Sequence, residues 1–168
     1  MQTISINIYK VSELSGKAQN YVLDKYREIM INYKWYDFIY EDARILGLKI
    51  SGFDTYDKNI SIEYTENADV VANNITKEWA EGTDLYRLAN DFLNSYNKLK
   101  AEQTFDEYGD SEQDDDIKYM EQEFLRELGE EFLSMLDNEY EWRTSDEAII
   151  EYLEDNQYFF TENGTHIQ

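Results

Sequence analysis

The chain has 168 residues, with 37 Asp and Glu against 15 Lys and Arg, a formal net charge of −22 at pH 7. A hydrophobic content of 42% with 15 Tyr, 8 Phe and 3 Trp excludes a disordered polyelectrolyte, and the lack of cysteine excludes a disulfide framework, a thiolate zinc site and a cysteine nucleophile. No run approaches the ~18 apolar residues of a membrane span, and the opening MQTISINIYK lacks the apolar centre of a signal peptide. The expectation is a cytoplasmic protein with no membrane partner.

Residues 3–9 alternate, Ile4, Ile6 and Ile8 against Ser5, Asn7 and Tyr9, which predicts a half-buried strand. Ser12 offers an N-cap for a helix to about residue 33, with Leu14, Ala18, Val22, Tyr26 and Ile29 or Met30 on one face. Trp35, Phe38, Ile39, Asp42, Ala43 and Leu46 predict a second helix over 35–46, stopped by Gly47. A hairpin follows, 48–53 and 60–64 around Asp57-Lys58-Asn59. Val70, Val71, Ile75 and Trp79 mark a helix over 67–80. Thr83 or Asp84 starts another, 84–99, through Leu85, Leu88, Ala89, Phe92, Leu93 and Tyr96.

Residues 101–115 are nearly devoid of apolar side chains and read as an exposed acidic loop. From Asp116 a long helix runs to about 141 on Ile117, Met120, Phe124, Leu128, Phe132, Met135 or Leu136, and Tyr140. Ser145 caps a last helix over 146–155, and 158–161 with 165–167 form a terminal strand pair around Asn163-Gly164. The fold class is α+β: a small, mostly antiparallel sheet with packed helices, and a C-terminal half that is mainly helical with an acidic face. The organisation expected is a single domain over 1–168, made of an α+β part (1–100), the acidic loop (101–115) and an acidic helical part with a terminal strand (116–168).

Charge is unevenly distributed. Residues 101–168 hold 22 acids and 3 bases, a net of −19, whereas residues 1–100 hold 15 acids and 12 bases, a net of −3. A surface tuned for solubility intersperses both signs, as the first hundred residues do. The one-signed half points to a surface that meets something basic, and it repels nucleic acid and anionic lipid. The candidate partner-binding residues are Asp106, Glu107, Asp110, Glu112, Asp114, Asp115, Asp116, Glu123, Glu127, Glu130, Glu131, Asp137, Glu141, Glu151, Glu154 and Asp155. On the long helix, steps of three and four put carboxylates about 5 Å apart along the axis, opposite the Phe124/Leu128/Phe132 stripe.

Other chemistry is weakly signalled. Asp110, Glu112, Asp114 and Glu121 match positions 1, 3, 5 and 12 of a calcium loop, but the turn-glycine position is Asp115, so no metal is assigned. The single histidine, His166, lies near the C-terminus, and no glycine-rich phosphate loop occurs, so no catalytic residue and no cofactor are assigned either. Tyr21, Tyr26, Tyr33, Tyr36 and Tyr40 fit core or core-rim positions. Tyr108, Tyr119, Tyr152 and Tyr158 lie among the acids, where arginine guanidinium groups stack well on aromatic faces.

The opening strand followed by Val11-Ser12-Glu13-Leu14-Ser15-Gly16-Lys17-Ala18 and Asp24-Lys25-Tyr26-Arg27, then Trp35-Tyr36-Asp37, resembles small acidic proteins encoded by phages and prophages. The stretch Glu139-Tyr140-Glu141-Trp142-Arg143-Thr144-Ser145-Asp146-Glu147-Ala148-Ile149 looks like the C-terminal part of their longer members. The resemblance implies an origin in a mobile element and carries over no catalytic residue. In charge, though in no motif, the chain is similar to DNA-mimicking inhibitors of restriction enzymes and CRISPR effectors. The resulting expectation is a non-enzymatic anti-defence inhibitor that blocks the basic nucleic-acid channel of a host nuclease without touching nucleic acid itself. An acidic adaptor or antitoxin-like module is the alternative, and a homodimer is left open.

Overall fold

The computed structural model describes residues 5–105, 108, 109, 111 and 113–167. Among them the chain forms six α-helices, a short 3-10 turn and two two-stranded antiparallel sheets, an α+β fold as expected. It divides into two compact units: Met1–Trp35 with Asn138–Gln168, and Tyr36–Asp137.

The first helix, α1 (Gly16–Tyr26), belongs to the discontinuous unit; the continuous unit, 36–137, begins with α2 (Asp37–Leu46). Gly47 ends α2 in the left-handed region at φ +92°, where its N–H closes the helix and its carbonyl accepts from Thr65 N (2.9 Å) and Glu66 N (3.2 Å). One residue thus terminates a helix and pins a hairpin, β1 (Leu48–Asp54) with β2 (Asn59–Tyr64), paired from Leu48↔Tyr64 to Asp54↔Asn59 with a bulge between Ile50 and Gly52. At the hairpin tip, Asp54 Oδ1 accepts from Tyr56 N (2.8 Å) and Asp57 N (2.9 Å), an aspartate turn that leaves Tyr56 exposed.

Helices α3 (Ala68–Glu78) and α4 (Asp84–Glu102) follow, the second capped by Thr83, whose hydroxyl accepts from Tyr86 N at 3.3 Å. The longest element, α5 (Gln113–Arg143), contributes residues 113–137 to this unit. Phe124 stacks on Phe92 of α4, Tyr64 of β2 donates its hydroxyl to the Glu121 carbonyl (2.8 Å), and Gly129 lies over Ile60 and Ile62. A Cβ at Gly129 would sit 3.2–3.3 Å from the two isoleucine methyls, so the glycine lets the hairpin approach the helix. Phe124, Leu128, Phe132 and Leu136 are buried on this side, each contributing about 1.5–3 kcal/mol by removal from water.

The discontinuous unit joins both ends of the chain. After a 3-10 turn (Val11–Glu13), α1 packs with α6 (Asp146–Asp155) around Val11, Val22, Ile149, Leu153 and Phe160. Tyr9 and Phe160 exchange backbone hydrogen bonds of 2.8 and 2.9 Å, and Phe159–Phe160 (β3) pairs with His166–Ile167 (β4). Ser145 caps α6 through Ala148 N (3.2 Å), as its position predicts. His166 stacks on Tyr158 (4.8 Å between ring centres) and touches Tyr26 and Phe160, a place in an aromatic cluster.

Several expectations are corrected here. Residues 5–8 form no strand; Tyr9 makes only an isolated bridge, and Ile6 and Ile8 are exposed while Tyr9 packs inward. Ser5 and Asn7 are exposed as well, so the alternation carries no facing, and only Tyr9 is drawn in, by its bridge to Phe160. Residues 3 and 4 lie outside the described residues. The first helix starts at Gly16 behind Ser15 and ends at Tyr26, giving way to turns through residue 33; Ser12 belongs to the preceding 3-10 turn. Tyr21 and Tyr33 are exposed, while Tyr26, Tyr36 and Tyr40 are half-buried. Helix α4 extends to Glu102 and α5 begins at Gln113, so both helices take residues from the expected loop.

Candidate partner-binding surface

Divided by unit, the charge is less uneven than divided by half. Residues 36–137 carry 26 acids and 9 bases, a net of −17; the discontinuous unit carries 11 acids and 6 bases, a net of −5. Within the continuous unit, residues 101–137 supply 14 acids against 2 bases, a net of −12, so its negative field is concentrated there.

Within that unit, Asp116, Glu123, Glu130 and Asp137 recur every seven residues along α5. Two helical turns separate neighbours, a rise of about 10.5 Å, and the drift is only ~20° per step, so the four share one face. Ile117, Phe124, Leu128 and Phe132 occupy the buried face. Asp114, Asp115 and Asp116 are exposed in the first turn, where carboxylates complement the positive end of the helix dipole; Asp114 also accepts from Gln103 (2.6 Å).

One cation interrupts the row. The Arg126 guanidinium meets Glu130, Glu123 (3.1 Å) and Glu127 (3.7 Å), three carboxylates around one charge. These hydrogen bonds, Glu123's first, hold Arg126 protonated above its ordinary range. Asp137 is engaged by Lys58 from the hairpin tip (2.7 Å). Glu131 is half-buried beside Asp84 and Arg87 of α4, and burial, with Asp84 next, raises its carboxyl above the ordinary carboxylate range. Tyr119 is exposed among these acids.

In the discontinuous unit Glu141, Glu151 and Asp155 are exposed. Glu154 is half-buried and structural: it accepts from the Ser12 hydroxyl and Ser12 N (3.2 Å) and pairs with Lys10 (3.8 Å), which holds its carboxyl below the ordinary range. It braces the 3-10 turn. Asp106, Glu107, Asp110 and Glu112 lie outside the described residues, and with them two of the four residues of the calcium-like frame. Among the described residues no three acidic or histidine side chains converge on a metal position, and no helix is long and apolar enough to cross a membrane.

No family model, no curated protein and no solved structure matches the chain significantly.

Two hollows in the continuous unit were not legible as such. The larger, about 660 Å³, lies between α2 and β1 and is lined by Phe38, Tyr40, Leu48 and Ile50 among others; its cations Arg44 and Lys49 are paired with Glu41 (2.5 Å) and Glu63 (2.7 Å). The smaller, about 350 Å³, is lined by Asp42, Ile45, Glu78, Trp79 and Ala80. Trp79 fits a core stripe by sequence spacing, but α3 ends at Glu78 and the indole is left half-buried on the wall of this cavity. Val70, on the same expected stripe, is exposed.

Proposed function

We propose that this chain is a non-enzymatic inhibitor, of the kind phages direct against host defence nucleases, acting in the host cytoplasm. The acidic face of α5 docks on the basic nucleic-acid channel of a restriction enzyme or CRISPR effector and blocks it sterically. The observation that carries the reading is the Asp116/Glu123/Glu130/Asp137 row, with Asp116 and Glu130 exposed and Glu123 and Asp137 half-buried, opposite the packed underside of α5 within a unit of net charge −17. A field of one sign on a fixed helix steers association with a basic surface and makes it salt-sensitive.

A second reading is favoured by charge density. Asp116 to Asp137 spans about 31 Å of helix axis. Asp116, Glu123, Glu127, Glu130 and Asp137, less Arg126 and the Lys58 paired with Asp137, leave a net of −3 on that face. That is one charge per ~10 Å, against one per ~1.7 Å in a DNA duplex. A single row is much sparser than a phosphate backbone, which suits an acidic adaptor or antitoxin-like module that neutralises a basic protein without copying nucleic acid.

Binding and competition separate the two. Capture of the basic partner from a host lysate, followed by titration with duplex DNA and single-stranded RNA, should show mutual exclusion for the inhibitor and simultaneous binding for the adaptor. Raising salt from about 50 to about 500 mM shortens the screening length from ~14 to ~4 Å and should weaken either complex by orders of magnitude. Affinity unchanged across that range would remove both readings.

A further inference from the structure

We propose that the cavity walled by Asp42, Ile45, Glu78, Trp79 and Ala80 receives an arginine side chain of the basic partner protein. The site is built from two elements of one unit. Asp42 and Ile45 project from α2 one turn apart, and Glu78, Trp79 and Ala80 form the end of α3 and the residues just after it. Its volume, about 350 Å³, lies at the small end of ligand sites and suits a side chain better than a drug-sized molecule.

The chemistry of the walls is specific. Among the described residues neither Asp42 nor Glu78 forms an ion pair, although the chain's cations are widely engaged elsewhere: Arg44, two residues from Asp42, is held by Glu41 through Nε (2.8 Å) and Nη2 (2.5 Å). Asp42 is half-buried, and burial, with Glu41 next, pushes its carboxyl above the ordinary range, so the ionised form lacks a counter-charge. Trp79, half-buried on the cavity wall, has no ring partner and no hydrogen-bond partner for its indole N–H among the described residues. Ile45 is 54% exposed at the rim, an apolar strip for an alkyl stem.

Two unpaired carboxylates, an indole face and an apolar rim complement a planar cation on an aliphatic stem. Guanidinium satisfies all of them together, donating to carboxylates in a fork while stacking on the indole, whereas a lysine ammonium is a strongly hydrated point charge. The larger cavity beside β1 differs in holding two cations of its own, Arg44 and Lys49, already paired with Glu41 and Glu63. The assignment rests on the proposed basic partner, yet the site itself can be tested without that partner.

The test is a titration of the full chain with N-acetyl-arginine methylamide, following the Trp79 indole N–H resonance, assigned by its loss in Trp79→Phe. The expected result is a saturable shift with a millimolar dissociation constant. The isosteric citrulline analogue should give no shift. Asp42→Asn and Glu78→Gln, which leave both side chains' shapes intact, should each weaken the arginine probe about tenfold. No saturable shift, an equal response to citrulline, or unchanged affinity in both variants would overturn the proposal. Tighter binding of spermidine than of the arginine probe would make the cavity a polyamine site and overturn it equally. A Glu123→Lys/Glu130→Lys variant should keep the shift while losing the partner. Failure of the α5 reading is thereby distinguished from failure of this one.

Discussion

Phe92 and Phe124 stack with ring centres 4.2 Å apart and planes 10° from parallel. The pair locks α5 against α4 at one rotation. Turning the helix by one residue, ~100°, would carry Phe124 out of the core and the acidic row toward it. Truncation to Phe124→Ala should cost about 3–5 kcal/mol, a lower urea midpoint with an unchanged slope. A loss below ~1 kcal/mol would mean that the stack does not fix the helix.

At Gly129 the isoleucines of the hairpin pack closely against α5. A branched side chain there must displace Ile60 and Ile62, whose methyls already lie 3.2–3.3 Å from the position of a Cβ. Gly129→Val should therefore destabilise by about 1–3 kcal/mol, despite replacing a poor helix former. Thermal unfolding decides this; a variant as stable as the parent would show that the hairpin yields freely.

Arg126 is the one cation inside the carboxylate row. If that face meets a basic partner, Arg126→Gln should leave affinity equal or tighter and steepen its dependence on salt. Glu130→Gln should do the opposite. Thermal stability should change little in either variant, because the pairs are solvent-exposed. Weaker binding on loss of Arg126 would argue that the guanidinium itself contacts the partner.

Stability should peak in mildly acidic solution. Asp42 and Glu131 have raised carboxyl pKa values, chiefly through burial, so the native state takes up protons before the unfolded chain does. As pH falls from neutral toward their ordinary values of about 4, their destabilising charge is removed and the melting temperature rises. Glu154 has the reverse sign. Its lowered pKa, due first to the Ser12 hydroxyl, adds stability above the ordinary value of about 4.3, and that is lost as pH falls through the depressed one. Asp42→Asn should flatten the rising limb, and Glu154→Gln should flatten the acid limb of a melting profile taken from pH 7 to 3.

Helices with dense periodic cores were legible from sequence: α2 with its Gly47 stop, α5 with Phe124, Leu128 and Phe132, and α6 with Ser145 as its cap. The hairpin was legible too, because Ile60, Ile62 and Tyr64 alternate and Asp57-Lys58-Asn59 interrupts them. What failed was whatever depended on residues far away in the chain. Ile6 and Ile8 alternate like a buried strand, but both are exposed and only Tyr9 is drawn in, by its bridge to Phe160. Carboxylate roles divided for the same reason: Glu123, Glu130 and Glu154 look alike in sequence, yet Ser12, 142 residues away, turns Glu154 into a brace. The Asp42 and Trp79 cavity had no sequence signal, since it depends on how the end of one helix meets the side of another.

The pairing of Tyr9 with Phe160 also sets an order on synthesis. Residues 36–137, which make up the whole continuous unit, are synthesised before residues 138–167. The Val11 and Val22 surface of the other unit needs Ile149, Leu153 and Phe160. At ~5–20 residues per second, about 150 intervening residues take roughly 8–30 s. For that interval the apolar side of the first helix waits uncovered, followed in sequence by a segment of net charge −17. Mutual repulsion between such anionic nascent chains works against their aggregation through that side until the chain's end arrives to cover it.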